Sequence, residues 1–190
     1  MDGPKYIRAL YNGINSADDG FESAVNFFTD FPNDNSGNPF YWPYSIVYYL
    51  LTAGDCIDIV GIDHYPGTWS MESYNSWYQL DMLFNITDYY GKKAAVMEAG
   101  YATGPWWWRF PDGLHTQDKQ KHFINTAIPT IRILTKLYTK DLVFVGWYEL
   151  TDEENPSIPW LLPEKYFGIL RADLSPKLGY NDLKQQFSKW

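Results

Sequence analysis

Glu98 is the carboxylate whose surroundings in the sequence best suit chemistry. It lies in the segment KKAAVMEAGYATG, Lys92 to Gly104, directly after a short apolar run and before a loop that turns glycine-rich and then tryptophan-rich. The run Ala94, Ala95, Val96, Met97 has no polar alternation, which is the pattern of a strand covered on both faces. Glu98 then leaves the sheet at its carboxyl end, where α/β enzymes place their reacting groups. For this motif alone, a strand-end glutamate that is merely solvated is the competing reading.

Other candidates fall at neighbouring strand ends. The stretch IDIVGIDHYPGTW ends in His64 and Tyr65 and runs on to Trp69, while VGWYELTDE presents Trp147 and then Glu149. Asp152, Glu153 and Glu154 form an acidic loop that reads as a solvated turn. The three histidines, His64, His115 and His122, lack metal-ligand spacing, so no metal is expected. No cofactor is expected either. The absence of G-x-S-x-G excludes a serine-hydrolase elbow.

Aromatic side chains make up 19% of the chain, more than a core alone requires. Several fall where loops are expected, among them Trp42, Trp69, Trp106, Trp107, Trp108 and Trp160. Flat rings with a polar edge can cover the C–H faces of sugars, and packing over a large rim is the alternative use. A net charge of −8 argues against nucleic acid or an anionic membrane surface as a partner, and a neutral or cationic ligand fits better. The apolar runs are too short for a membrane helix, and Met1-Asp2-Gly3-Pro4 lacks the regions of a signal peptide. Cys56 is the single cysteine, so a disulfide framework and a multi-cysteine metal site are excluded and a small buried residue is expected.

The elements that must carry these groups alternate. At 190 residues the chain is expected to be one domain, 1–190. Four strand-like segments, each followed by a helix-like one, predict an α/β fold with a parallel sheet. The first strand is expected over Tyr6 to Tyr11, with a short helix over Glu22 to Phe31, a long loop over Pro32 to Pro43 and a second helical piece over Tyr44 to Ala53. The second strand is expected over Ile57 to Asp63, and its helix from about Met71 to Tyr90, closed by Gly91. The third strand carries Glu98. Its helix starts near Thr116, a cap, with Asp118 in the first turn, and Pro129 is expected to kink or split it. The fourth strand is expected over Leu142 to Tyr148, and Ser175-Pro176 is expected to open the last helix toward Trp190. Four parallel strands fit either part of a (β/α)₈ barrel or an open doubly wound sheet, although the G-x-G-x-x-G fingerprint of the latter is missing.

Taken together, the strand ends IDIVGIDHYPGTW, VMEAGYAT and VGWYELTDE, followed by the tail KYFGILRADLSPKLGY, resemble glycoside hydrolase clan A, the retaining β-glycosidases built on (β/α)₈ barrels. The likeness covers most of the chain. It implies a TIM-barrel fold of which this sequence is a fragment holding strands five to eight, and an enzyme that hydrolyses O-glycosidic bonds in a β-linked oligo- or polysaccharide. In that reading Glu98 is the nucleophile, Tyr65 its hydrogen-bond partner, and Trp147 the indole under the sugar. His64, Trp69, Trp106, Trp107 and Glu149 are further substrate contacts. Retaining hydrolysis needs a second carboxyl about 5–5.5 Å from the first. The clan supplies it from an Asn-Glu pair after strand four, and no Asn-Glu dipeptide occurs before the third strand here. The acid/base is therefore expected on a missing amino-terminal half, or the barrel is completed by a homodimer. A catalytically incomplete carbohydrate-binding or self-assembling half-barrel is the alternative. The resemblance also implies secretion.

Overall fold

The computed structural model describes residues 2–17, 20–28, 42–69, 73–74, 76–104, 113–138, 142–154 and 162–190. Four strands, β1 (Ala24–Phe27), β2 (Ile59–His64), β3 (Lys93–Ala99) and β4 (Leu142–Trp147), form one parallel sheet in the order β1-β2-β3-β4. The helices are α1 (Gly3–Ala17), α2 (Tyr44–Ala53), α3 (Tyr78–Tyr90), α4 (Gln117–Leu137) and α5 (Tyr180–Phe187), with short 3₁₀ turns over Gly54–Cys56 and Leu162–Tyr166. Each strand is therefore followed by a helix and pairs with the next strand in sequence. A doubly wound sheet reverses its strand order at a switch point, whereas sequential order is that of a (β/α)₈ barrel.

The amino-terminal expectations require correction. Tyr6 to Tyr11, expected as a strand, lies inside α1, and the expected helix over Glu22 to Phe31 contains β1 instead. The physical reason lies in the spacing: Tyr6, Ile7, Leu10, Tyr11 and Ile14 recur at three and four residues, the period of a helix face and not of a strand. α3 begins at Tyr78, later than expected, and Met71 lies outside the described residues. α5 begins at Tyr180. Ser175 belongs instead to a turn in which Asp173 accepts from both its backbone N–H and its hydroxyl, at 2.9 and 2.6 Å. Helix α4 runs through Pro129 as one element and is not split. Two helix ends follow their sequence signals. The Thr116 hydroxyl caps the Lys119 N–H at 3.3 Å, and Gly91, at φ +63°, lets the Lys92 N–H return to the Thr87 carbonyl at 2.8 Å.

The chain divides into two compact units. One comprises Met1–Asp63, Tyr78–Met97 and Thr135–Val145. Its core is aliphatic, with Ile46, Ile57, Val60, Ile62, Leu80, Leu83 and Val96 essentially inaccessible. β1 pairs with β2 in the register Ala24↔Ile59 to Phe27↔Ile62. Outside the core, the Arg8 guanidinium donates to Asp55 at 2.7 Å and holds that carboxyl low, at about 2. The other unit comprises His64–Trp77, Glu98–Leu134 and Gly146–Trp190, and it contains the ends of β2, β3 and β4. Its strand ends are joined by the Gly100 N–H to the His64 carbonyl, 3.2 Å, and the Tyr148 N–H to the Ala99 carbonyl, 3.0 Å. A Cβ on Gly100 would lie 2.4 Å from the Tyr148 carbonyl oxygen, so this close approach of two backbones requires glycine.

Candidate active site

β3 carries Glu98 out of the buried run Ala94–Val96 into a half-buried position. There its Oε2 accepts the hydroxyl of Tyr65, the residue that follows β2. Tyr65 is only 5% exposed because its ring is packed edge-on against Phe167 (5.1 Å) and Tyr148 (5.8 Å). Tyr148 and Phe167 meet in the same way at 5.4 Å, which closes a triangle of three rings. Trp69 packs on Phe167 at 6.3 Å. The sequence-expected Glu98, Tyr65 and Trp69 thus belong to one cluster.

His64 and Trp147 go elsewhere. The His64 side chain is fully buried with its ring 5.8 Å from Phe123, a residue of α4. Trp147 also packs on Phe123, at 6.1 Å, and lines a groove with Leu150, Ile169, Leu183 and Phe187; its Nε1 has no hydrogen-bond partner among the described residues. Successive strand residues point to opposite faces. With Trp147 turned toward α4, the next residue, Tyr148, is the one beside Tyr65. Trp106 and Trp107 lie outside the described residues, as do Trp108 and Trp160.

Two groups that sequence reasoning gave no role complete the cluster. The Tyr148 hydroxyl donates to Glu164 Oε2 at 2.7 Å, and burial, then the Glu164 charge, pushes the Tyr148 phenol up so that it stays a donor. Burial pushes the Glu164 carboxyl above the usual carboxylate range; the Tyr148 hydrogen bond opposes this and the charges of Glu153 and Glu98 add to it. Strand alternation past Trp147 was the signal for Tyr148. Glu164 had none, since it sits on the 3₁₀ turn Leu162–Tyr166, and only the fold returns that turn to the strand ends.

Glu149 is also half-buried, and its Oε2 has no hydrogen-bond partner among the described residues. Burial pushes its carboxyl up, a hydrogen bond with Tyr148 opposes this, and the charges of Glu153, Glu164 and Asp152 add to the rise. Asp152 is not the solvated turn residue expected of an acidic loop. It pairs with Lys177 at 2.6 Å, and the Lys177 ammonium also donates to the Thr103 hydroxyl (2.9 Å) and the Tyr166 carbonyl (3.0 Å). Burial pushes the Lys177 amine down and the Asp152 carboxyl up. Among the described residues, no group of three or more His, Cys, Asp or Glu side chains is arranged to hold a metal ion, and no helix is long and apolar enough to cross a membrane.

A sheet of sequentially ordered parallel strands with a tyrosine-held carboxylate at its carboxyl end is an α/β fold of (β/α)₈ TIM-barrel type. No protein-family model matches the chain, and no curated protein matches it in sequence. Solved structures do match. The Bifidobacterium dentium β-glucuronidase bound to coumarin-3-O-glucuronide has a TM-score of 0.65 at 14% identity, over 98% of this chain and 27% of that one. A glycoside hydrolase family 17 β-1,3-glucanosyltransferase from Rhizomucor miehei has a TM-score of 0.60 at 14% identity, over 93% and 56%. A family 10 endo-β-1,4-xylanase from Gloeophyllum trabeum has a TM-score of 0.60 at 16% identity, over 97% and 52%. This chain therefore spans between about a quarter and somewhat more than half of those chains. The likeness shows the fold, shared with TIM-barrel glycoside hydrolases.

Proposed function

We propose that this chain carries the nucleophile of a retaining glycosidase that cleaves O-glycosidic bonds in a β-linked oligo- or polysaccharide. The observation that carries the reading is the pairing of Glu98 with the Tyr65 hydroxyl at adjacent strand ends of a TIM-barrel-type sheet. Glu98 attacks the anomeric carbon to form a glycosyl ester, and water then releases the sugar. Tyr65, locked by Phe167 and Tyr148, fixes the attacking carboxylate and supplies its hydrogen-bond donor. Trp69 and Tyr148 offer ring surface for the sugar, Glu149 a carboxylate for its hydroxyls, and Trp147 with His64 hold the strand ends on Phe123. In the glycosidases that the chain resembles, the acid/base comes from elements before these strands.

An activated 2-fluoro glycoside tests the reading, because its leaving group departs without acid assistance and its fluorine slows release of the ester. Dinitrophenyl 2-fluoro β-glucoside, β-galactoside and β-xyloside are incubated with the protein, and the product is digested and mapped by mass. A glycosyl adduct on the peptide holding Glu98 is the expected result. An adduct on Glu149, or none with any of the three while sugar still binds, overturns it.

A second reading, a half-barrel that assembles with its missing half or with another copy, is favoured by a specific observation. β4, an outer strand of the sheet, exposes Val143 and Phe144, at 41% and 51%. Outer strands invite pairing. Sedimentation should show a concentration-dependent mass if this holds, and a monomer at all concentrations counts against self-assembly.

A further inference from the structure

We infer that Lys177 is a positioning residue of this site: without touching Glu98, its ammonium fixes the turn whose Phe167 ring holds Tyr65 on that carboxylate. The inference deepens the reading of Glu98 as nucleophile and rests on it. An ammonium has three N–H groups, and Lys177 directs them to Asp152 (2.6 Å), the Thr103 hydroxyl (2.9 Å) and the Tyr166 carbonyl (3.0 Å). The three acceptors belong to three segments. Thr103 lies in the loop that follows Glu98 and β3, Asp152 in the loop that follows β4, and Tyr166 ends the 3₁₀ turn directly before Phe167. The same Tyr166 carbonyl accepts the Thr103 N–H at 2.9 Å. Beyond Phe167 the chain is pressed onto the exit of β4. The Ile169 N–H donates to the Glu149 carbonyl at 3.1 Å, the Asp152 N–H to the Leu170 carbonyl at 2.9 Å, and a Cβ on Gly168 would lie 2.1 Å from the Asp152 nitrogen. From Tyr166 the line to the nucleophile is short: Phe167 packs on the Tyr65 ring at 5.1 Å, and the Tyr65 hydroxyl donates to Glu98.

Stability alone does not call for a charge at this position. The side chains of Lys177 and Asp152 are 2% and 12% exposed, and a buried pair of this kind can often be replaced by uncharged side chains of similar size without loss of stability. An uncharged side chain cannot bind acceptors on three segments at once. A methionine would fill the same space and leave the turn before Phe167 free to shift against Tyr65. Misplacing a reacting group by about 1 Å can slow a reaction about 10²-fold, whereas binding of the sugar depends on surface that Lys177 does not supply.

The test removes both charges together. In Lys177→Met/Asp152→Asn no buried charge is left unpaired, and the amide oxygen can keep the hydrogen bond that Asp152 accepts from the Gly168 backbone. The urea midpoint should therefore lie near the wild-type value and above that of Lys177→Met alone. With the dinitrophenyl 2-fluoro glycoside that labels the wild type, the saturating rate of ester formation on Glu98 should fall about 10–100-fold in the double variant. The concentration giving half that rate should not change. Leu80→Ala, in the aliphatic core of the other unit, is the control for lost stability and should label at the wild-type rate. Wild-type labelling by the double variant, or an equal loss in Leu80→Ala, overturns the assignment.

Should the double variant fail to fold, Thr103→Val takes its place. It removes one acceptor of the Lys177 ammonium and keeps the shape, so it should show the same separation of rate from binding in smaller measure, and wild-type kinetics would overturn the assignment. A second measurement reads Tyr65 with no sugar present. In protein carrying fluorotyrosine, the Tyr65 fluorine resonance is identified by its loss in Tyr65→Phe. It should shift or broaden in the double variant, or in Thr103→Val, and an unchanged resonance overturns the assignment. If the wild-type chain does not label on Glu98, the nucleophile reading falls, and the fluorine spectrum alone decides whether Lys177 holds Tyr65.

Discussion

Polar pairs in the two units are built differently. In the unit that begins the strands, Arg8 and Asp55 form an ion pair whose side chains remain 42% and 67% exposed. In the unit that ends them, Lys177 and Asp152 are 2% and 12% exposed, and the ammonium is fully committed to a carboxylate, a hydroxyl and a carbonyl. An exposed pair is screened by water and contributes little, whereas a buried one has lost its hydration and depends on every partner. The strand-end unit therefore tolerates buried polarity throughout: Tyr65 with Glu98, Tyr148 with Glu164, and the fully buried Gln120, whose amide donates to the Tyr101 carbonyl at 2.9 Å. A fold gains nothing in stability from concentrating such groups at one end.

The sharpest way to break this contrast is to remove the central carboxylate. Glu98→Gln is expected to abolish 2-fluoro glycoside labelling and to lower turnover by about 10⁴-fold or more, as loss of a nucleophile does, while the urea midpoint stays near the wild-type value. Labelling of the same peptide in the variant would rule Glu98 out. Next in size is the buried pair. Lys177→Met leaves Asp152 buried without its cation, at a cost of about 3–5 kcal/mol. Arg8→Ala, by contrast, should leave the unfolding midpoint unchanged. Equal effects of the two in urea denaturation would erase the distinction between the units.

A smaller effect is expected at Gly100. The Cβ of Gly100→Ala would meet the Tyr148 carbonyl 2.4 Å away and Phe167 Cδ1 and Tyr65 Cε1 at 3.1 Å. Forcing a methyl between two strand ends costs about 1–3 kcal/mol. Because the obstacles include the two rings that hold Tyr65, the change should also displace the Glu98 partner, so labelling should slow together with the fall in stability. A variant that is destabilised but labels at the wild-type rate would uncouple the ring triangle from the nucleophile.

Much of the sheet was legible because burial on both faces leaves an unmistakable run, as at Ala94 to Met97, and because Thr116 and Gly91 mark helix ends by local chemistry. The amino-terminal elements were misread: Tyr6 to Tyr11 was expected as a strand although its spacing is helical. This conflict arises in α1 because Tyr6, Leu10 and Ile14 lie largely exposed and no buried strand competes for them. At the site, Glu98 and Tyr65 were visible because one lies at the end of a strand and the other directly follows one. Tyr148 was hidden by Trp147: indole suggests a sugar platform, yet the alternation that turns Trp147 toward Phe123 delivers the next residue to Tyr65. Glu164 was invisible in principle, since nothing in LLPEKYF records that Tyr148 will donate to it.

The smallest expected effect is a change in how stability depends on pH, and it probes Glu164 without reference to sugar. A carboxyl whose folded pKa lies above its unfolded value keeps its proton in the native state after the unfolded chain has released it. The native state then binds more protons, so its contribution to stability is full below the unfolded pKa and is lost as pH rises through the folded one. Glu164 is shifted in this direction chiefly by burial, against the Tyr148 hydrogen bond, with the charges of Glu153 and Glu98 adding to it. Glu164→Gln cannot titrate, and its amide oxygen can still accept from Tyr148. The variant and the wild type should therefore have the same urea midpoint at pH ~3, below the usual glutamate range, and the variant should become the more stable of the two as pH is raised toward ~8. Parallel curves across that range would mean that Glu164 is ionised in the folded chain as readily as in the unfolded one.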